Sequence, residues 1–242
     1  MIPEQNRLLS RCTQYPPLEY LDFGINRIIE PLPNLTLFSS LKVVRLYVNQ
    51  FNGAVPEAFG RLTHLEELDL SSNSLKGVIS EAHLSKLSKL SRLGLSGNSL
   101  IWNITYDWIS PFKLNRIGLH SCKLGPRFPK WLQTQKDYSY LSISNAGISD
   151  SIPNWLWDIS SSCYSMDLSA NQIHGTITDS SFKFMGYPYV NLSSNELEGS
   201  IPHFMFKVGA LDLSMNRFSK LDSLCNVSID TELTFLDISL NQ

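Results

Sequence analysis

Apolar residues recur along this chain in two rhythms. Over short stretches they alternate, as in Leu68-Asp69-Leu70 and Leu93-Gly94-Leu95. Over the whole chain the alternation returns every 21 to 25 residues. Taking Asn73 as an anchor, the equivalent position recurs at Asn26, Asn49, Asn98, Cys122, Ala146, Asn171, Asn195, Asn216 and Asn241. The positions eight, five and three before each anchor are all apolar, aromatic or Cys (Leu65, Leu68 and Leu70 in the third unit), although only 43% of the chain is hydrophobic. Two after the anchor comes another apolar residue, such as Phe51, Leu75, Leu100 or Ile173. Period-2 alternation predicts a short strand with one face inward. A unit this small cannot bury its own apolar edge, so ten of them must stack. At the anchor, an Asn amide can bond backbone groups of neighbouring turns. Asn26, Asn49, Asn73, Asn98, Cys122, Asn171, Asn195, Asn216 and Asn241 are the expected structural ladder. Cys122 and Ala146 weaken it over two adjacent units.

The unit reads Leu-x-x-Leu-x-Leu-x-x-Asn-x-Leu, a leucine-rich repeat. A second half-motif, Gly-x-Val/Ile-Pro, appears as GAVP (53–56) and GSIP (199–202), with PRFP (126–129) and DSIP (150–153) at the same offset. Gly there permits an unusual backbone angle, and Pro fixes an extended segment without needing a donor. This half resembles the plant-specific class of these repeats. The expected fold is an α/β-type solenoid, a plant-specific leucine-rich-repeat horseshoe or superhelix. It should have one short parallel strand per repeat, about ten repeats and few true α-helices. Residues 18–242 form the solenoid and end in mid-repeat, while 1–17 are a partial preceding repeat or a degenerate N-terminal edge. The 21-residue step before Asn216 should alter curvature. In IWNITYDW (101–108), Trp102 and Trp108 are read as outer-face packing.

Charge and chemistry narrow the function classes. A net charge of −2, a pI near 6.2 and no Lys/Arg run give no footprint for nucleic acid. No apolar stretch is long enough to span a bilayer, and the first residues lack a secretory h-region. The cysteines (12, 122, 163, 225) and histidines (64, 83, 120, 174, 203) are scattered without metal-ligand or nucleophile spacing. No enzyme activity, metal or cofactor is expected. HSCKLGP (120–126) looks like a thiolate–imidazole pair, but the register separates it. Cys122 falls on the buried anchor and His120 on the surface.

Residues between the core positions of each strand should face solvent on the concave side. Two before the anchor, Ser is the rule and is expected to bond nearby backbone; Tyr47 and His120 break it. Arg45, Tyr47, Glu67, Asp69, Arg92, Arg116, His120 and Tyr140 come from neighbouring repeats and are the expected ligand-binding patch. Arg and Tyr often dominate interfaces. Gly94 and Gly118 are expected to leave room for a ligand backbone beside Arg92 and Arg116.

Longer stretches narrow the family. GVISEAHLSKL (77–87), WISPFKL (108–114), SCKLGPRFPKWLQTQ (121–135) and ISNAGISDSIPNWLW (143–157) resemble ectodomains of plant leucine-rich-repeat receptor-like proteins, closest to the fungal-xylanase receptor group. The resemblance implies a non-catalytic recognition module at the extracellular face of the plasma membrane, in defence or developmental signalling. It implies a protein or peptide ligand and a receptor-kinase co-receptor. Membrane attachment would come only through a segment absent from this chain. The chain departs from that pattern in having no signal peptide, paired-Cys cap or transmembrane helix, and is read as truncated at both ends. The partner of Cys225 is then expected to be missing, and the pairing of Cys12 and Cys163 stays open. The alternatives are a secreted polygalacturonase-inhibitor-like protein and a non-functional truncated receptor fragment. Sequons at Asn34, Asn103, Asn191 and Asn226 are the expected glycan acceptors if the chain is secreted. A glycan at Asn191, on a strand, would push a ligand toward the N-terminal repeats.

Overall fold

The structure is a computed structural model that describes residues 17–157, 163–178, 184, 186–220 and 233–241. Ten three-residue strands form one parallel sheet in chain order. They are β1 (Tyr20–Asp22), β2 (Val43–Arg45), β3 (Glu67–Asp69), β4 (Arg92–Gly94), β5 (Arg116–Gly118), β6 (Tyr140–Ser142), β7 (Ser165–Asp167), β8 (Tyr189–Asn191), β9 (Ala210–Asp212) and β10 (Phe235–Asp237). The pairing never slips. Tyr20, Val43, Glu67, Arg92, Arg116, Tyr140, Ser165, Tyr189, Ala210 and Phe235 form one continuous row. The single α-helix among the described residues is one turn, Glu81–Leu84.

The middle residue of each strand points inward, and from β2 to β9 it is buried: Val44, Leu68, Leu93, Ile117, Leu141, Met166, Val190 and Leu211. These side chains meet the apolar residues of the opposite half-repeat in one core. Each such side chain contributes about 1.5–3 kcal/mol by leaving water. Because every unit repeats the same inward set, the sheet lengthens without a new core having to be invented.

The turn after each strand is what makes the units superimpose. The residue before every anchor lies in the left-handed region. Gly97 supplies it at φ 67°, and nine non-glycine residues from Ile25 to Leu240 hold φ between 50° and 62°. The anchor Asn then closes the turn. Asn73 Nδ2 donates to the carbonyls of Leu46, Leu70 and Ser71 at 3.0–3.2 Å, and its Oδ1 accepts from Phe51 N–H at 3.0 Å. Asn49, Asn98, Asn171, Asn195 and Asn216 bridge two repeats in the same way. One amide therefore satisfies buried groups that no strand could reach.

The ladder is interrupted at the fifth and sixth units, where other groups replace it. Cys122 Sγ lies 3.5 Å from the Leu95 carbonyl. At the next turn the Ala146 carbonyl accepts from both Leu124 and Gly125 N–H, at 2.9 and 3.0 Å. Backbone thus does there what an Asn amide does elsewhere. The outer side is also discontinuous at this joint. It carries one three-stranded sheet (Asn52–Gly53, Ser74–Ile79, Ser99–Trp102) and another (His174–Thr176, Glu196–Ser200, Arg217–Lys220). Only isolated bridges, Ile101 to Lys123 and Ser151 to His174, connect toward the gap. Trp102 and Trp131 stack at 5.4 Å beside it, and Trp108 and Trp131 both pack edge-on against Phe112. This is packing, as the sequence suggests for Trp102 and Trp108.

Candidate functional site

Two side-chain columns of the ten-stranded sheet point away from the core and build the open face. From β2 to β6 they line a cleft of about 500 Å³. Arg45, Tyr47, Glu67, Asp69, Arg92, Arg116 and Tyr140 all border it. His120 does not. Its Nδ1 is 2.8 Å from Ser144 Oγ and its Nε2 3.1 Å from Ser121 Oγ, which holds the ring beside the next turn.

The centre of the cleft is an ion cluster. Arg45 grips Glu67 with two bonds, Nε to Oε1 at 2.5 Å and Nη2 to Oε2 at 3.0 Å. Arg92 Nη1 reaches the same Oε2 at 2.9 Å. Arg45 also donates to Tyr20 Oη at 2.5 Å and lies 3.7 Å from Asp22. Burial pushes the Glu67 carboxyl pKa up, but hydrogen bonds from Arg45 and Arg92 outweigh it and hold the group below its usual range. The Arg45 guanidinium is held charged, chiefly by its bond to Glu67.

Glu67 corrects one expectation. Its column predicts a solvent-facing carboxylate, yet it is only 8% exposed, because guanidiniums from both flanking strands close over it. The cluster leaves Arg116 apart. Its guanidinium lies 5.0 Å over the Tyr140 ring and has no carboxylate partner among the ion pairs of the described residues. Such stacking contributes about 0.5–1 kcal/mol at exposed sites and keeps the donors presented.

The glycines correct a second expectation. A Cβ on Gly94 would lie 2.6 Å from Asp69 Oδ1, so the space beside Arg92 is already filled by the Asp69 carboxylate. At Gly118 the corresponding neighbour is Ser96 Oγ, at 3.1 Å. Both glycines accommodate the preceding repeat's polar side chain rather than hold a place for ligand backbone. The Ser column meets expectation at Ser96, whose Oγ accepts from His120 N–H at 3.1 Å, and departs from it further along. In the turns after β7, β8 and β9 the hydroxyls of Ser169, Ser193 and Ser214 donate to Asp167, Asn191 and Asp212 at 2.6–2.7 Å, not to backbone. The same acceptors take the Ser N–H groups, closing an Asx turn. Ser142 and Ser144, expected on the open face, are 3% and 2% exposed.

The family profile for leucine rich repeat matches residues 39–100. Receptor-like protein EIX2 of Solanum lycopersicum is 40% identical over 168 residues, which is 69% of this chain and 16% of that protein. Receptor-like protein EIX1 of the same plant is 46% identical over 128 residues, 53% of this chain and 12% of that protein. The chain therefore spans less than a fifth of the length of these relatives. Among solved structures, the leucine-rich-repeat ectodomain of the Arabidopsis receptor kinase HAESA, in complex with an N-terminally extended IDA peptide hormone, superimposes with a TM-score of 0.72. It is 26% identical and covers 93% of this chain and 38% of its own. The chain is a leucine-rich-repeat solenoid of the kind found in plant receptor-like proteins.

On this solenoid the sequons and cysteines separate by position. Asn34 and Asn103 are exposed and off the main sheet. Asn191 sits within β8 with Oδ1 held by Ser193, whose hydroxyl is the sequon's own. Asn226, Cys12 and Cys225 lie outside the described residues. Cys122 and Cys163 are buried free thiols; burial pushes Cys122 up to about 12 and Cys163 to about 11. Among the described residues no cluster of His, Cys, Asp and Glu is arranged to hold a metal, and no helix is long and apolar enough to cross a membrane. Sequence reasoning missed Tyr20 and Asp22 as members of the Arg45 cluster; both sit in the same columns as the residues it did select.

Proposed function

We propose that this solenoid is the ligand-recognition part of a plant receptor-like protein and that its open-face cleft binds a peptide or protein segment. The reading rests above all on one observation: seven residues from five adjacent repeats line a single cleft that combines three guanidiniums with two tyrosines. The HAESA ectodomain, solved with a peptide hormone, supports it from a related solenoid. Arg116, held over Tyr140, supplies free donors for a ligand carbonyl or carboxylate. Glu67 organises Arg45 and Arg92 from beneath, so it positions the contact surface. Asp69 and Tyr47 shape its walls. His120 sits outside the cleft and would meet only a ligand that extends past β5.

The same reading puts the protein outside the cell at the plasma membrane, glycosylated at Asn34 and Asn103, and signalling in defence through a partner receptor kinase. It makes no use of catalysis or a cofactor. Asn191 is the poorest acceptor of the described sequons because it lies within a main-sheet strand; the turn bonds to its Oδ1 do not set it apart, since Thr36 bonds Asn34 Oδ1 in the same way. The deciding experiment is the Arg92→Glu/Arg116→Glu double variant, made in the longer parent receptor and read as the ligand response. A response lost while surface expression is unchanged supports the cleft. A wild-type response rejects it.

A further inference from the structure

A second pocket lies on the opposite side of the solenoid, at the joint where the outer sheet stops. It is about 300 Å³ and is walled by Trp102, Tyr106, Arg127, Phe128, Lys130 and Trp131. That volume is at the small end of ligand sites. Its apolar wall is fixed: Trp102 and Trp131 are stacked, and Phe128 and Trp131 are each 3% exposed. Its polar edge is cationic. Arg127 and Lys130 both face the Tyr106 ring, at 5.7 and 5.3 Å. Lys130 is neutralised by Asp107 at 2.5 Å. Arg127 has no carboxylate partner among the ion pairs of the described residues, and the one further carboxylate beside the pocket, Glu81, is engaged by Thr105 N–H at 2.6 Å. Tyr106 is 53% exposed, an aromatic ring held at the surface by cations rather than by burial.

We infer that this outer pocket is a binding site for a carboxylate carried on an apolar, preferably aromatic, body. The body lies against Trp102, Phe128 and Trp131, and the carboxylate meets Arg127. Guanidinium–carboxylate bonds are charge-assisted and roughly twice as strong as neutral ones. The pocket and the cleft draw on different faces of the repeats, so this assignment stands or falls separately from the open-face reading.

The chemistry has two sources, a free small acid or the C-terminus of a peptide, and the probes separate them. Titrate the chain with phenylacetate, with N-acetyl-Gly-Phe as the free acid, and with benzylamine and N-acetyl-Gly-Phe amide as charge controls. Read binding by tryptophan fluorescence and by calorimetry. Phenylacetate is expected to saturate and benzylamine not; binding by the peptide acid alone would assign the site to chain termini. Arg127→Ala should weaken binding about tenfold, the loss of one charge-assisted contact. Arg127→Gln repeats the test with the stem retained, and thermal melts check that both variants fold. The Arg92→Glu/Arg116→Glu variant should bind these probes unchanged. The assignment is overturned if neither acid saturates, if their uncharged or cationic controls bind equally, or if binding follows Arg92 and Arg116 instead of Arg127.

Discussion

The units anchored by Asn73 and Asn98 and those anchored by Cys122 and Ala146 solve the same problem with different means. In the first pair, one side-chain amide joins two turns through four hydrogen bonds, and the outer strands pair without a break. In the second pair the amide is gone, a backbone carbonyl takes two N–H groups, and outer pairing shrinks to single bridges. The open face does not register the change, for β4, β5 and β6 keep the same row. The two faces of a solenoid are thus only loosely coupled. The inner sheet needs inward apolar residues and little else, so the outer half is free to vary and to form a pocket.

That contrast can be broken most sharply at Gly125. A Cβ there would sit 1.7 Å from the Gly147 carbonyl oxygen, which is backbone and cannot swing away. Gly125→Ala should cost about 3–5 kcal/mol, the scale of a severe core defect. A chemical melt of the variant should show it, and a shift below about 1 kcal/mol would mean that the joint is slack. Asn73→Ala should come next. It orphans several backbone groups at once, at about 1–3 kcal/mol for each that water cannot reach. Cys122→Ala removes one weak sulfur contact and should cost clearly less in the same assay. Equal losses would show that the amide ladder is no stronger than its substitute.

Acid sharpens the comparison on the open face. The Glu67 pKa is depressed in the folded state, so its contribution is complete above the ordinary carboxylate pKa of about 4.3 and fades as pH falls through the lower, folded value. Glu67→Gln should therefore be less stable than the parent at neutral pH and converge with it in acid. A constant gap across the titration would assign the loss to packing instead. The smallest effect is expected at Val48, a β-branched residue held at φ 51° and 45% exposed. Val48→Asn should stabilise by about 0.5–1 kcal/mol, because Asn tolerates the left-handed region. No gain in Tm would mean that the Val side chain has compensating contacts.

Legibility in the sequence follows the repeat. The row from Tyr20 to Phe235 can be read from the spacing of Leu, Val and Asn, because one inward set serves every strand. The residues of the cleft are legible for the same reason. What they do to one another is not. Glu67 lies under two guanidiniums because β2 and β4 flank β3, and exposure of a single column cannot foretell that its neighbours will lean over it. Gly94 misleads likewise, since the atom that occupies its vacancy belongs to Asp69 on the preceding strand. The outer pocket has no column to betray it. Tyr106, Arg127 and Lys130 come from the irregular halves of two repeats, where spacing carries no rule.

The left-handed residue before each anchor has a consequence for how such a surface can diversify. Its backbone angle is fixed by the turn, whereas its side chain is not asked to fill anything. Ile25, Val48, Met215 and Leu240 occupy this place and are 45–73% exposed. Adjacent strands are about 4.8 Å apart. The column is therefore an evenly ruled margin along the rim of the sheet, in which letters can be changed one by one while the text beneath stays the same.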